Sequence, residues 1–154
     1  MARRLKKELK KITDPKQKKY AEYATIREHC TINPNDSNIL EWEVILKGPA
    51  GSPYEGHSFA IEMTFPAQYP HKPPDVKNKT SIPHPNTNEA GTEWCRDLWA
   101  KDWGPTLDAG HVLGVIIQTL KTPNLESPVN PALAKLWSED EAAAVAEIKA
   151  KLSK

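Results

Sequence analysis

LEWEVIL, residues 40–46, places Leu40, Trp42, Val44 and Leu46 on one side of an extended chain and Glu41 and Glu43 on the other. A period of two with one apolar face predicts a strand in an antiparallel sheet that is covered on one side. SFAIEMTF (58–65) repeats the pattern through Phe59, Ile61, Met63 and Phe65. Between the two runs lies GPAGSPYEG (48–56), whose glycines and prolines read as a turn. Upstream, TIREHCTI (25–32) alternates Ile26, Glu28, Cys30 and Ile32, a mixed face that fits an edge strand, and NPNDSN (33–38) is the turn after it. PDVKNK (74–79) is a weaker candidate for a fourth strand.

Helices flank this meander. In ARRLKKELKKI (2–12), Leu5, Leu9 and Ile12 follow helical spacing, Lys and Arg fill the rest, and Asp14-Pro15 ends the run. A second helix is expected from an N-cap at Asp108, with Val112, Leu113, Ile116, Ile117 and Leu120 as its core stripe. Asn130-Pro131 reads as the N-cap and first turn of a short helix ending near Trp137. Ser138-Glu139-Asp140-Glu141 reads as a capping box for a last helix with Val145, Ile148 and Leu152 inward. From Pro66 to Pro105 there is little periodicity, so this stretch is expected to be a long ordered loop that carries function. The predicted class is α+β: N-terminal helix, four-stranded antiparallel meander, long loop, then C-terminal helices, all in a single domain over residues 1–154.

Composition narrows the setting. With 27% charged and 38% hydrophobic residues, the 154-residue chain reads as globular. No run approaches the ~20 apolar residues of a membrane span, and no apolar stretch of the signal-peptide kind is expected. Two cysteines make no disulfide framework, which predicts an intracellular, reducing compartment, cytoplasmic or nuclear. Residues 1–19 hold nine Lys/Arg against Glu8 and Asp14, a net +7, while the remainder is −6. This asymmetry points the N-terminal element at an acidic partner surface, or else the basic face is simply solvated; nucleic acid is not expected.

Cys30 falls in a predicted strand and reads as a small packing residue. Cys95 is different: it closes HPNTNEAGTEWC (84–95), a polar loop. Zinc would need three or four clustered ligands, and only His84 is local, so no metal is expected. A Cys-His protease needs a base beside the thiol and an acid for a poor leaving group, and His84, held between Pro83 and Pro85, reads as a brace of the turn. Exchange of an acyl group already activated as a thioester asks less, since a thiol of ordinary pKa ~8.5 is a few per cent thiolate near neutrality. The Asn86 amide could stabilise the oxyanion when an amine attacks, or it could bond backbone groups and hold the loop; the sequence leaves both open.

YPHKPP (69–74), HPN (84–86), Gly91, Cys95, Trp103 and Pro105 as W-x-P, and PNLESP (123–128), in this order and spacing, resemble the ubiquitin-conjugating enzymes. The GPAGSPYEG turn adds to the match, which extends over nearly the whole chain. The resemblance implies that Cys95 accepts the ubiquitin C-terminus from an activating enzyme as a thioester. The acyl group then passes to a substrate lysine, usually with a ligase of RING or HECT type. It implies no cofactor, ATP being used upstream. It makes Asn86 the catalytic-loop asparagine, His84 and Pro85 its braces, and Asp97 and Ser127 the groups flanking the incoming lysine. The ordinary rivals are a loop hydrogen bond for Asp97 and a turn for Ser127. It assigns Arg3, Arg4, Lys6, Lys7 and Lys10 to the surface for the activating enzyme and the ligase, together with His71, Trp103 and Pro105 at two loop tips. Trp103 could equally be a core aromatic beneath its loop.

The chain departs from the family pattern in several places. Gly91 to Cys95 is one residue longer, Glu93-Trp94 replaces a small-plus-aliphatic pair, Thr87 follows HPN, and His71 replaces a large apolar group. An added residue reverses side-chain facing unless a bulge absorbs it. Two other readings stand beside the first: a conjugating enzyme for another ubiquitin-like modifier, and a non-catalytic module that binds ubiquitin or a ligase.

Overall fold

Strand β2 (Asn38–Lys47) organises the sheet, with Trp42, Val44 and Leu46 buried and Glu43 and Lys47 exposed. In the computed structural model, which describes residues 1–16, 23–126 and 128–153, it pairs antiparallel with β1 (Cys30–Asn35) and β3 (Ser58–Thr64). The fourth strand, β4 (Asp75–Asn78), pairs with β3, so the spatial order β1-β2-β3-β4 is a meander. Val44 lies opposite Ile32 on one side and Ile61 on the other. Phe59, Ile61, Met63 and Phe65 are buried, as the alternation predicts. On the outer face Glu43 lies opposite Glu62, a repulsive pairing that Lys79 offsets with its Nζ 3.5 Å from Glu43 and 3.8 Å from Glu62.

The apolar face is covered by helices. Helix α1 (Ala2–Thr13) buries Leu5 and Ile12, with Leu9 half-buried, and Asp14 caps its end in extended geometry. Helix α4 (Ala109–Lys121) buries Val112, Leu113, Ile116, Ile117 and Leu120, and its N-cap Asp108 accepts the His111 N–H at 2.9 Å. Helix α5 (Pro131–Glu139) starts at Asn130, whose side chain accepts the Leu133 N–H, with Pro131 in its first turn. Helix α6 (Glu141–Leu152) buries Ala144 and Ile148, with Val145 and Leu152 half-buried. At about 1.5–3 kcal/mol for each large side chain taken from water, this joint core is the main source of stability.

Three local expectations change. The first half of TIREHCTI is not strand but helix α2 (Ala24–His29). Tyr23 and Ile26, three residues apart, are buried together, a helical spacing that short-range alternation conceals. The edge strand begins only at Cys30, and Asn33, Pro34 and Asn35 belong to it, leaving Asp36-Ser37 as the turn. Pro34 fits there because an edge strand tolerates a missing donor. Ser138 lies inside α5, and the cap of α6 is Asp140, which accepts the Ala143 N–H at 3.1 Å.

The long middle stretch contains β4 and one further helical turn, α3 (Asp97–Ala100). One acid inside the core was not foreseen. Glu8 is buried between α1 and α4, where it accepts from Tyr69 Oη at 2.5 Å, Arg4 Nε at 2.8 Å and the Ala109 N–H at 3.0 Å. Burial raises its pKa above the ordinary glutamate range, against the lowering effect of these donors. No described helix is long and apolar enough to cross a membrane.

Candidate active site

His84, Pro85, Asn86 and Thr87 are all buried, unusual for four consecutive loop residues, and each is held by directed bonds. The His84 Nδ1 accepts the Asn86 N–H at 2.8 Å, so the ring proton sits on Nε2, which donates to Thr119 O of α4 at 2.8 Å. Burial pushes the His84 pKa down to about 4, and the ring is neutral at physiological pH. It stacks on Tyr54 at 5.8 Å, and the Tyr54 hydroxyl donates to Pro83 O at 2.6 Å. Pro85 O accepts from the N–H groups of Val129 and Asn130, at 3.1 and 3.0 Å. Thr87 Oγ1 reaches Ile82 O and His84 O at 2.8 and 3.0 Å.

Asn86 joins two segments. Its Nδ2 donates to Asn124 O at 2.7 Å, and its Oδ1 accepts the Asn124 N–H at 2.9 Å. Its carbonyl accepts the Cys95 N–H at 2.7 Å. Residues 86 and 95 are therefore side by side, while the carboxamide itself is buried and paired with the backbone of residue 124.

The added residue before Cys95 is absorbed in the turn. Asn88 Oδ1 accepts the N–H groups of Thr92 and Glu93 at 2.8 and 3.2 Å, and its own N–H donates to Glu93 O at 2.9 Å. Gly91 has φ of +74°, and a Cβ there would lie 2.4 Å from Ser81 Oγ, so both backbone angle and space demand glycine. Thr87 lies opposite Trp94 in an antiparallel bridge, and Cys95 emerges half-buried with part of its surface open to solvent.

The remaining candidates divide. Asp97 is exposed at the start of α3, two residues past Cys95. Ser127 lies outside the described residues. Cys30 packs against the core, half-buried, with its thiol pushed up to about 12 by burial. On α1, Arg3, Lys6, Lys7 and Lys10 are exposed, whereas Arg4 turns inward to Glu8, to Pro105 O at 3.1 Å and to Leu107 O at 3.3 Å. His71 is exposed; Trp103 is half-buried and donates its indole N–H to Pro70 O at 2.8 Å. The fold thus gathers the start of α1, the 69–71 loop and the 103–107 loop, at a distance in the chain from Cys95.

Two side chains that support the loop, Asn78 and Glu8, were missed. Each carries a sequence signal: Asn78 shares the inward face of β4 with Val76, and Glu8 sits within the stripe of Leu5 and Ile12.

Residues 4–152 match the family model described as "Ubiquitin-conjugating enzyme". The chain is 38% identical over 110 residues to "Probable ubiquitin-conjugating enzyme E2 31" of Arabidopsis thaliana, covering 71% of either chain. It is 36% identical over 107 residues to "Ubiquitin-conjugating enzyme E2 2" of Debaryomyces hansenii, covering 70% of this chain and 63% of the relative. A crystal structure titled as that of a "putative ubiquitin conjugating enzyme" from Plasmodium yoelii superposes with a TM-score of 0.78 at 34% identity, over 96% of this chain and 89% of the other. With the antiparallel meander, the buried His84-Pro85-Asn86 turn and the neighbouring Cys95 already in place, these matches make the chain a member of the ubiquitin-conjugating enzyme family.

Proposed function

We propose that the protein carries ubiquitin as a thioester on Cys95 and passes it to a lysine of a substrate protein. The observation that carries this reading is the partly exposed Cys95, bonded through its N–H to Asn86 O beside a turn whose own side chains are buried and occupied. In the first step the Cys95 sulfur, as thiolate, attacks the carbonyl carbon of ubiquitin bound to the activating enzyme. A new C–S bond forms, the old one breaks, and the enzyme's thiolate leaves with the electron pair. In the second step a lysine amine attacks the same carbon, a C–N bond forms, Cys95 leaves as thiolate, and the surplus amine proton goes to solvent. ATP is used only upstream, so the chain needs no cofactor of its own.

Neutral, buried His84 has no free nitrogen for proton transfer, which fits exchange between thioesters rather than base-assisted hydrolysis. The Asn86 carboxamide holds Asn124, which favours a loop-holding role in this state. Exposed Asp97 is placed to orient the incoming amine. The exposed basic residues of α1 would meet an acidic surface of the activating enzyme, and His71, Trp103 and Pro105 would contribute to ligase docking.

Charging with activating enzyme, ATP and ubiquitin on a non-reducing gel tests the reading. Wild type and Cys30→Ser should shift, and thiol reductant should remove the shift. Cys95→Ser should give a reductant-resistant shift and Cys95→Ala none; a normal shift in Cys95→Ala would overturn the assignment. For Asn86→Ala, lysine discharge slowed by up to ~10²-fold at unchanged thermal stability would mark an oxyanion role, and parallel losses a loop-holding one.

A further inference from the structure

The residue before Cys95 is tied to the sheet by a pair of side chains. Asn78, the last residue of β4, is 4% exposed, and its side chain is fully engaged. Its Oδ1 accepts the indole N–H of Trp94 at 2.8 Å, and its Nδ2 donates to Gly91 O at 2.9 Å. Its backbone N–H also donates to Thr92 O at 2.9 Å. Trp94 is 6% exposed, and its ring lies 5.3 Å from that of His84. One side chain of the sheet therefore grips residues 91, 92 and 94, downstream of the point where Asn88 takes up the added residue.

We propose that Asn78 and Trp94 are positioning residues that set where the Cys95 sulfur stands relative to the Asn86 turn; this rests on the reading of Cys95 as the thioester carrier. Packing alone would hold a large ring against His84 only loosely, because dispersion contacts have little directional preference. A buried hydrogen bond is directional and costly to leave unmade, so it fixes the rotation of the indole and with it the backbone that continues into Cys95. Placement matters here, since a shift of about 1 Å at a reacting atom can cost ~10²-fold in rate. Neither side chain touches the acyl group, so their effect is indirect.

Trp94→Phe keeps a ring against His84 and removes only the N–H donor; Asn78→Ala removes the acceptor as a second, independent variant. Single-turnover charging on Cys95 should slow about tenfold or more in each at saturating charged activating enzyme, with half-saturation unchanged within about twofold. The double variant should be no slower than the worse single, since both cut one bond. Ile148→Ala, far along the chain in α6, supplies a destabilised control with the loop intact. A purely structural role predicts that rate losses follow thermal stability and match this control; that result, or wild-type charging rates in both variants, would overturn the proposal. If wild type never charges, the thioester reading fails separately. Alkylation of Cys95 by iodoacetamide in a Cys30→Ser background then decides the positioning role: a rate changed about threefold or more in Trp94→Phe supports it, and an unchanged rate overturns it.

Discussion

The sheet with its covering helices and the loop from 79 to 95 are both well buried, yet they are held by opposite means. In β2, β3 and α4 the inward residues are Trp, Val, Leu, Ile, Met and Phe, recurring at the period of the element. In the loop the inward residues include His84, Asn86 and Thr87, clamped by Asn78 from β4, and each finds a partner far along the chain or across the turn. Apolar burial tolerates some slippage, because any well-shaped neighbour will do. Buried polar groups do not, because a lost partner leaves a desolvated donor or acceptor. The molecule thus places its tolerant packing under the scaffold and its exacting bonds around Cys95.

The largest expected effect breaks the scaffold side of this contrast. Trp42 is fully buried, edge-on to Phe65 at 4.7 Å, and its indole N–H has no hydrogen-bond partner. Trp42→Ala should cost about 3–5 kcal/mol in urea unfolding followed by circular dichroism. Trp42→Phe should cost far less, since it removes a desolvated donor that gains nothing. Comparable losses in the two would show that the indole N–H, rather than apolar volume, matters there.

A second experiment separates the regions by pH. His84 titrates at about 4 in the fold and near the ordinary 6.5 once unfolded. Its contribution is fully present above ~6.5 and is lost as pH falls toward ~4, because only the unfolded chain takes up the proton across that window. The loss should amount to roughly 3 kcal/mol. His84→Gln should remove this component, so that wild type loses more stability than the variant between pH 7.5 and 4.5; equal losses would contradict the buried, neutral ring. At the small end, Lys79→Ala should change stability by less than ~0.5 kcal/mol, since both of its ion pairs are exposed. A larger cost would mean that the Glu43–Glu62 repulsion needs this lysine.

The same contrast explains what could be read from residue order alone. LEWEVIL and SFAIEMTF announce their strands because each inward residue is apolar and two positions from the next. The α4 stripe and the caps at Asp108 and Asn130 are local chemistry and were equally readable. TIREHCTI was not, because six residues of helix are too few for a 3.6-residue period to overrule an accidental alternation. Ser138 was mistaken for a cap because Asp140, two residues on, offers a competing acceptor. Around the site, the family pattern indicated Cys95 and the His84-Pro85-Asn86 turn. It said nothing of Asn78 or Trp94 as a pair, since sixteen residues separate them and the bond exists only once β4 is built. Arg4 was grouped with the exposed basic residues, but a helix face shows which way a side chain leaves the axis and not where a long one ends.

The pairing of Asn86 with residue 124 is lopsided in a way that bears on variation. The side chain of 86 meets only main-chain atoms of 124. Position 124 can therefore exchange one amino acid for another while still presenting the same N–H and C=O, with proline alone shut out for want of a hydrogen. Position 86 has no such freedom: aspartate forfeits the amino group, and glutamine displaces both ends by a methylene. A library randomised at the two sites should fill one column with many letters and the other with a single one.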